Sequence, residues 1–200
     1  QINMQEIEDA IIKVIAGPEK KTRVISEKEK KLTAYHEAGH AVIAKLLPTQ
    51  DPVHQVSIIP RGRAGGYTLS LPKEDKYYVS KTEMIEDIIG LLGGRVAEKL
   101  VLDDISSGAS NDIQRATEIA RKMVTKYGMS EKLGPITFGT NQEEVFIGRD
   151  LAQSRNFSEA VAAEIDEEIR KIIHECYERC QVLLQENIDK LHRIANALLE

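Results

Sequence analysis

Apolar residues recur every three to four positions through most of this 200-residue chain, the spacing of helices that bury one face. Ile2, Ile7, Ile11, Ile12 and Ile15 stand among acids and predict a short amphipathic helix over 1–16, stopped at Ala16-Gly17-Pro18, since Gly followed by Pro ends a helix. A charged linker over 17–25 follows. Ser26 and Glu29 have the Ser-x-x-Glu spacing of a capping box. The helix behind them carries Leu32, Val42, Ile43, Leu46 and Leu47 as its apolar stripe and stops at Pro48. There the period shortens. Val53 to Pro60 is rich in β-branched residues, Arg61 to Gly66 makes a turn, and Tyr67 to Leu71 alternates up to Pro72, which together predict a hairpin.

A second capping box, Ser80 with Glu83, opens a helix whose apolar face is Met84, Ile85, Ile88, Leu91, Leu92, Val96 and Leu100. Gly90, Gly93 and Gly94 lie in its middle and point to close contact with another helix. The loop from Asp103 to Ser110 leads to a helix from about Asn111 to Tyr127, with Ile113, Ala116, Ala120, Met123, Val124 and Tyr127 as its apolar face and Asp112 in its first turn. Met129 to Phe157 is irregular, with strands predicted at Ile136 to Phe138 and at Glu144 to Ile147. A long helix from Ser158 to about Gln185 and a last one from Ile188 to Leu199 complete the chain. The fold class read from this pattern is mainly α with a small β hairpin, without internal repeats.

Composition narrows the function classes. The chain is 42% hydrophobic and 30% charged with a net charge of −5, and its basic cluster at Lys20, Lys21, Arg23, Lys28, Lys30 and Lys31 is interleaved with Glu19, Glu27 and Glu29. Nucleic-acid binding is not indicated. No apolar run approaches the ~20 residues of a membrane span, and no signal-peptide pattern stands at the start, so the chain as given reads as soluble. The two cysteines, Cys176 and Cys180, are four apart on a predicted helix, too far apart for a disulfide. Buried packing in a reducing compartment is the expected role of both thiols.

The chemistry concentrates in His36-Glu37-Ala38-Gly39-His40, an H-E-x-x-H pattern inside the first capped helix. Imidazoles at i and i+4 lie on one helix face and can turn ring nitrogens toward one metal ion. Glu37 projects from the flank, where it can act as general base without ligating the ion. Zinc in such a site lowers the pKa of water and polarises a carbonyl. Two histidines need a third ligand, and the spacing H-E-x-x-H-x-x-G-x-x-H fails because Ile43 and Leu46 stand where Gly and His would be needed. His54, Glu98 and Asp112 are the candidates. Glu98 would reproduce a His-His-Glu set, while Asp112 lies at a helix N-terminus that favours an ionised carboxylate. Physical chemistry leaves both open.

Several segments in order resemble one family. They are the His36 to His40 motif, Asp51-Pro52-Val53-His54, Ile58-Ile59-Pro60-Arg61-Gly62, Gly93-Gly94-Arg95-x-Ala97-Glu98, Ser107-Gly108-Ala109-Ser110-Asn111-Asp112-Ile113, Met129 to Pro135, and Glu144-Val145-Phe146-Ile147-Gly148. From about Ile7 to Leu199 the chain resembles the peptidase domain of the FtsH family, membrane-anchored, ATP-dependent zinc metalloproteases. The resemblance implies an H-E-x-x-H zinc peptidase domain of the FtsH type over 26–200, with one Zn2+ held by His36, His40 and Asp112. It makes Glu37 the general base and Glu98 an outer carboxylate near the site. It further implies that residues 1–16 are the tail of an upstream ATPase module, and that ATP acts only through that module, since no G-x-x-x-x-G-K-[ST] loop occurs here. The implied substrates are unfolded or damaged polypeptides, and the implied assembly is a homo-hexamer. The implied location is the bacterial inner membrane, reached through upstream segments, with this domain cytoplasmic. Two other readings are another zinc hydrolase, which would not cut inside long chains, and a non-catalytic helical oligomerisation module, which would hold no metal. The hairpin over 53–71 is either a substrate-pairing edge beside the metal or a purely structural element.

Overall fold

Three helices start on reciprocal capping boxes, in which a side-chain oxygen accepts the N3 amide proton and the N3 glutamate accepts the cap amide proton. Asn3 and Glu6 close α1 (Met4–Ala16), Ser26 and Glu29 close α2 (Glu27–Leu46), and Ser80 and Glu83 close α3 (Lys81–Leu102). Each box satisfies amide groups that a helix start leaves unpaired. The sequence reading anticipated the second and third boxes; the first has Asn in the cap position, an equally good acceptor. The computed structural model describes residues 3–19, 25–61, 65–72, 76–139 and 157–200.

After α3 a 3-10 turn at Ser107–Ala109 runs directly into α4 (Ser110–Thr125), and the C-terminal part is α5 (Glu159–Glu186) and α6 (Ile188–Leu199). Between α2 and α3, β1 (Val53–Ser57) and β2 (Tyr67–Ser70) pair antiparallel, with Val56 opposite Thr68 and Ser57 opposite Tyr67. The ladder is irregular between Val53 and Gln55, and His54 there is exposed. The expected mainly helical architecture with one small hairpin is therefore the observed one.

The core lies between α2 and α3. α2 packs on α3 and α6, and α3 on α4 and α5. Ile43, Ile88, Val96, Met123, Leu184 and Leu191 are fully buried there. The approach of α2 to α3 depends on Gly39: a Cβ at that position would overlap the Gly93 carbonyl oxygen and lie 2.7 Å from Ala97 Cβ. Glycine inside a helix costs ~1 kcal/mol relative to alanine, and the close contact offsets that cost. Because of it α2 is buried on more than one face, with Ala34, Tyr35, Ala38 and Ala41 inside along with the expected Val42 and Ile43.

Some expectations need correction. Ile113 and Tyr127, assigned to the apolar face of α4, are 38% and 48% exposed. Tyr127 follows the last turn of the helix, and Ile113 lies in its first turns among exposed positions. Ile136 to Phe138 is not a strand. The Phe138 amide donates to the Thr125 carbonyl at 2.8 Å, so this segment caps the end of α4 instead of joining a sheet. The strand expected at Glu144 to Ile147 lies outside the described residues. Two buried acids also went unforeseen. Glu86 accepts hydrogen bonds from the Thr49 amide and hydroxyl at 3.0 and 2.5 Å, and Glu168 accepts from the Ser130 hydroxyl at 2.6 Å. Each is a carboxylate whose burial is compensated by local donors. Cys176 and Cys180 are both free and buried, and burial pushes the Cys176 thiol up to about 12, which agrees with an inert packing role.

Candidate metal centre and active site

The capped start of α2 and its close packing on α3 hold the helical turn from His36 to His40 against the middle of α3. His36 packs over Gly94, where a Cβ would come within 2.6 Å of three atoms of the imidazole ring. The second and third glycines of α3 thus make room for a helix and for a ring. Each imidazole is fixed through its Nδ1. His36 Nδ1 lies 2.7 Å from Glu98 Oε1, and His40 Nδ1 lies 2.8 Å from the Gly90 carbonyl oxygen. Both partners can only accept, so both Nδ1 atoms carry the proton. In the neutral rings the lone pairs are then on Nε2.

Those two Nε2 atoms stand 3.1 Å apart, and Asp112 Oδ2 lies 3.4 Å from the first and 3.5 Å from the second. Asp112 reaches this point because the 3-10 turn at 107–109 delivers it in the first turn of α4. Three acceptor atoms converge with no donor between them, an arrangement that repels itself unless a proton or a cation sits at its centre. Tetrahedral zinc with bonds of ~2.0–2.1 Å spaces its ligand atoms ~3.3 Å apart. The observed edges match that spacing, and two imidazoles with one carboxylate are a donor set zinc accepts. The residues fit the ion.

The electrostatics agree. Burial disfavours a charged His36, yet the Asp112 and Glu98 carboxylates outweigh it and push the ring up to about 9. Burial likewise opposes ionisation of Asp112, and the two imidazoles overcome it, holding that carboxyl far below the usual carboxylate range. Glu98 is lowered too, its burial offset by His36 and by the Ser106 amide, which donates to Oε2 at 2.8 Å. A cluster that binds a proton this firmly is one that attracts positive charge.

Glu37 is buried, at 6% exposure, and burial raises its pKa against the pull of His40, His36 and a hydrogen bond from Thr68. The Thr68 hydroxyl on β2 donates to Glu37 Oε2 at 2.8 Å. A cleft of about 1190 Å³ runs past these groups, bordered by β2 from Tyr67 to Ser70 on one side and by Asn111, Asp112, Arg115 and Ile119 of α4 on the other. Of the three candidates for a third ligand, the fold brings Asp112 to the two Nε2 atoms. It places Glu98 behind the His36 ring and leaves His54 exposed on β1, away from the cluster. Sequence reasoning missed Thr68 and the Gly90 carbonyl. A main-chain oxygen carries no signal in a sequence, and Thr68 had only its place in the returning strand.

Residues 23–200 match the sequence model of peptidase family M41. Over its whole length the chain is 71% identical to a protein of a Thermoanaerobacter species named ATP-dependent zinc metalloprotease FtsH 1, covering 33% of that protein. It is 68% identical to an ATP-dependent zinc metalloprotease FtsH of Caldicellulosiruptor bescii and 55% identical to the one of Bacillus subtilis, covering 32% of each. The chain therefore belongs to peptidase family M41. It spans about a third of the length of the curated relatives it matches.

Proposed function

We propose that this chain is a zinc-dependent endopeptidase in which His36, His40 and Asp112 hold one zinc ion and Glu37 is the general base. The observation that carries the reading is the convergence of three acceptor atoms at edges of 3.1, 3.4 and 3.5 Å, with Glu37 next to them in sequence and in the same cleft. Zinc held there would polarise the scissile carbonyl and make water a nucleophile at neutral pH. Glu37 removes a proton from the attacking water and returns it to the leaving amine, so the peptide bond is exchanged for a carboxylate and an amine. Its raised pKa suits a group that must both take and give that proton. Glu98 and the Gly90 carbonyl hold the two rings in the tautomer that presents Nε2 to the ion.

Among the described residues β2 pairs only with β1, and Tyr67 to Ser70 line the cleft. An extended peptide can pair there by main-chain hydrogen bonds, so the hairpin serves as a substrate template and selects unfolded chains. Residues 26–200 form the peptidase domain, 17–25 the linker, and 1–16 the tail of an ATPase module. Within the whole protein the domain works as the proteolytic part of an ATP-driven, hexameric enzyme anchored in the bacterial inner membrane, with the peptidase on the cytoplasmic side. The relatives' printed names, ATP-dependent zinc metalloproteases, and their threefold greater length support the ATP-driven part of this reading. Among the described residues no helix is long and apolar enough to cross a membrane.

The test is incubation of the zinc-loaded chain with an unfolded polypeptide and with a hyperstable domain, each with and without ATP. Internal cleavage of the unfolded chain alone, unaffected by ATP, is expected, because a stable domain exposes its backbone only while transiently open. Survival of the unfolded chain, or release of terminal residues only, would contradict the proposal.

A further inference from the structure

The base is held by a strand. Thr68 Oγ1 lies 2.8 Å from Glu37 Oε2 and 3.2 Å from the Glu37 main-chain oxygen. A hydroxyl has one proton to donate, and of two acceptors the charged carboxylate forms the stronger bond. No other hydrogen bond reaches the Glu37 carboxylate from the described residues, so Oε2 is committed and Oε1 is not. The stem of Glu37 leaves no room for a side chain at the start of the same strand: a Cβ on Gly66 would lie 3.0 Å from Glu37 Cγ and 2.6 Å from the Ser57 carbonyl oxygen. Gly66 and Thr68 thus lie two positions apart on the same side, as the two-residue period of a strand gives, and glycine at 66 leaves space for the Glu37 side chain. That segment also lines the cleft.

We infer that Thr68 is the positioning residue of the general base: its hydroxyl fixes Glu37 in one rotamer by engaging Oε2 and leaves Oε1 as the oxygen that takes the proton from water. The inference rests on the role proposed above for Glu37. Its consequence is that the strand expected to receive the substrate also aims the base, so both are set by the placement of β2. Glu37 has rotatable bonds enough to swing its carboxylate away from a reacting atom, and misplacement of a catalytic group by ~1 Å costs up to ~100-fold in rate.

The experiment compares Thr68→Val, Thr68→Ala and Thr68→Ser in the zinc-loaded protein, with kcat and KM measured on an unfolded polypeptide, zinc per chain by atomic emission, and thermal unfolding. Valine keeps the size and β-branching of threonine and removes only the hydroxyl. A fall of about 10- to 100-fold in kcat, with KM and zinc content unchanged, is expected for Thr68→Val, and Thr68→Ser should recover most of the loss. If the valine variant fails to fold, the alanine and serine variants carry the same comparison. Wild-type kcat without the hydroxyl would overturn the inference. So would loss of zinc, a change confined to KM, or a serine variant as impaired as the others. Glu37→Gln in parallel separates the two claims: full activity there removes the base itself, whereas an inactive Glu37→Gln beside a fully active Thr68→Val removes only the role of Thr68.

Discussion

Glu37→Gln is expected to keep close to one zinc ion per chain while losing at least ~100-fold in kcat, the scale of a lost general base. The amide has nearly the shape of the carboxylate and still accepts from the Thr68 hydroxyl through its oxygen, so the surroundings of the side chain survive. What it lacks is a basic lone pair of useful pKa. The three groups that converge on the metal position are His36, His40 and Asp112, and none of them is changed. Zinc content and single-turnover hydrolysis of an unfolded polypeptide check both halves of the expectation. Zinc lost together with activity would place Glu37 among the ligands and leave the reaction without a base.

Asp112→Asn is expected to weaken zinc binding far more than Glu98→Gln. Asp112 Oδ2 faces both Nε2 atoms at 3.4 and 3.5 Å, so on the proposed assignment its replacement by a neutral amide would remove both a ligand and the negative charge that offsets the ion. Glu98 meets His36 at Nδ1, on the far side of the ring. Loss of such an outer partner typically costs ~10- to 100-fold in metal affinity, because the imidazole is less firmly oriented and less basic. Competition with a chelator of known affinity ranks the two variants. The opposite ranking would make Glu98 the ligand and Asp112 its support, the other alternative that the residue pattern allowed.

How much of this was legible in the residues follows from the range of each interaction. The α2 and α3 starts, the hairpin and the helical periods are local, and they were read from side chains within a few positions of one another. The two histidines of the site were legible for the same reason, being one turn apart. The third member of the cluster was not, because choosing between Glu98 and Asp112 requires the path of the chain from the end of α3 through the turn at 107–109, which local chemistry does not give. Misreadings came where tertiary position overrides pattern. Ile113 continues the apolar period of α4 yet faces outward, 38% exposed, and the β-like Ile136 to Phe138 is tied by the Phe138 amide to the end of a helix and packed through Phe138 against Phe157. The hydrogen bond from Thr68 to Glu37 spans 31 positions, and no periodicity encodes it.

If one zinc ion held by His36, His40 and Asp112 makes this chain an endopeptidase, metal content and cleavage must rise and fall together. The most direct measurement follows metal content and cleavage of an unfolded protein together, through removal of the metal with a chelator and stepwise return of zinc. Close to one zinc per chain, internal cleavage that disappears with the metal, and recovery that saturates at one equivalent are predicted. Cleavage that persists in metal-free protein, or a chain that takes up no zinc at this site, would contradict the account.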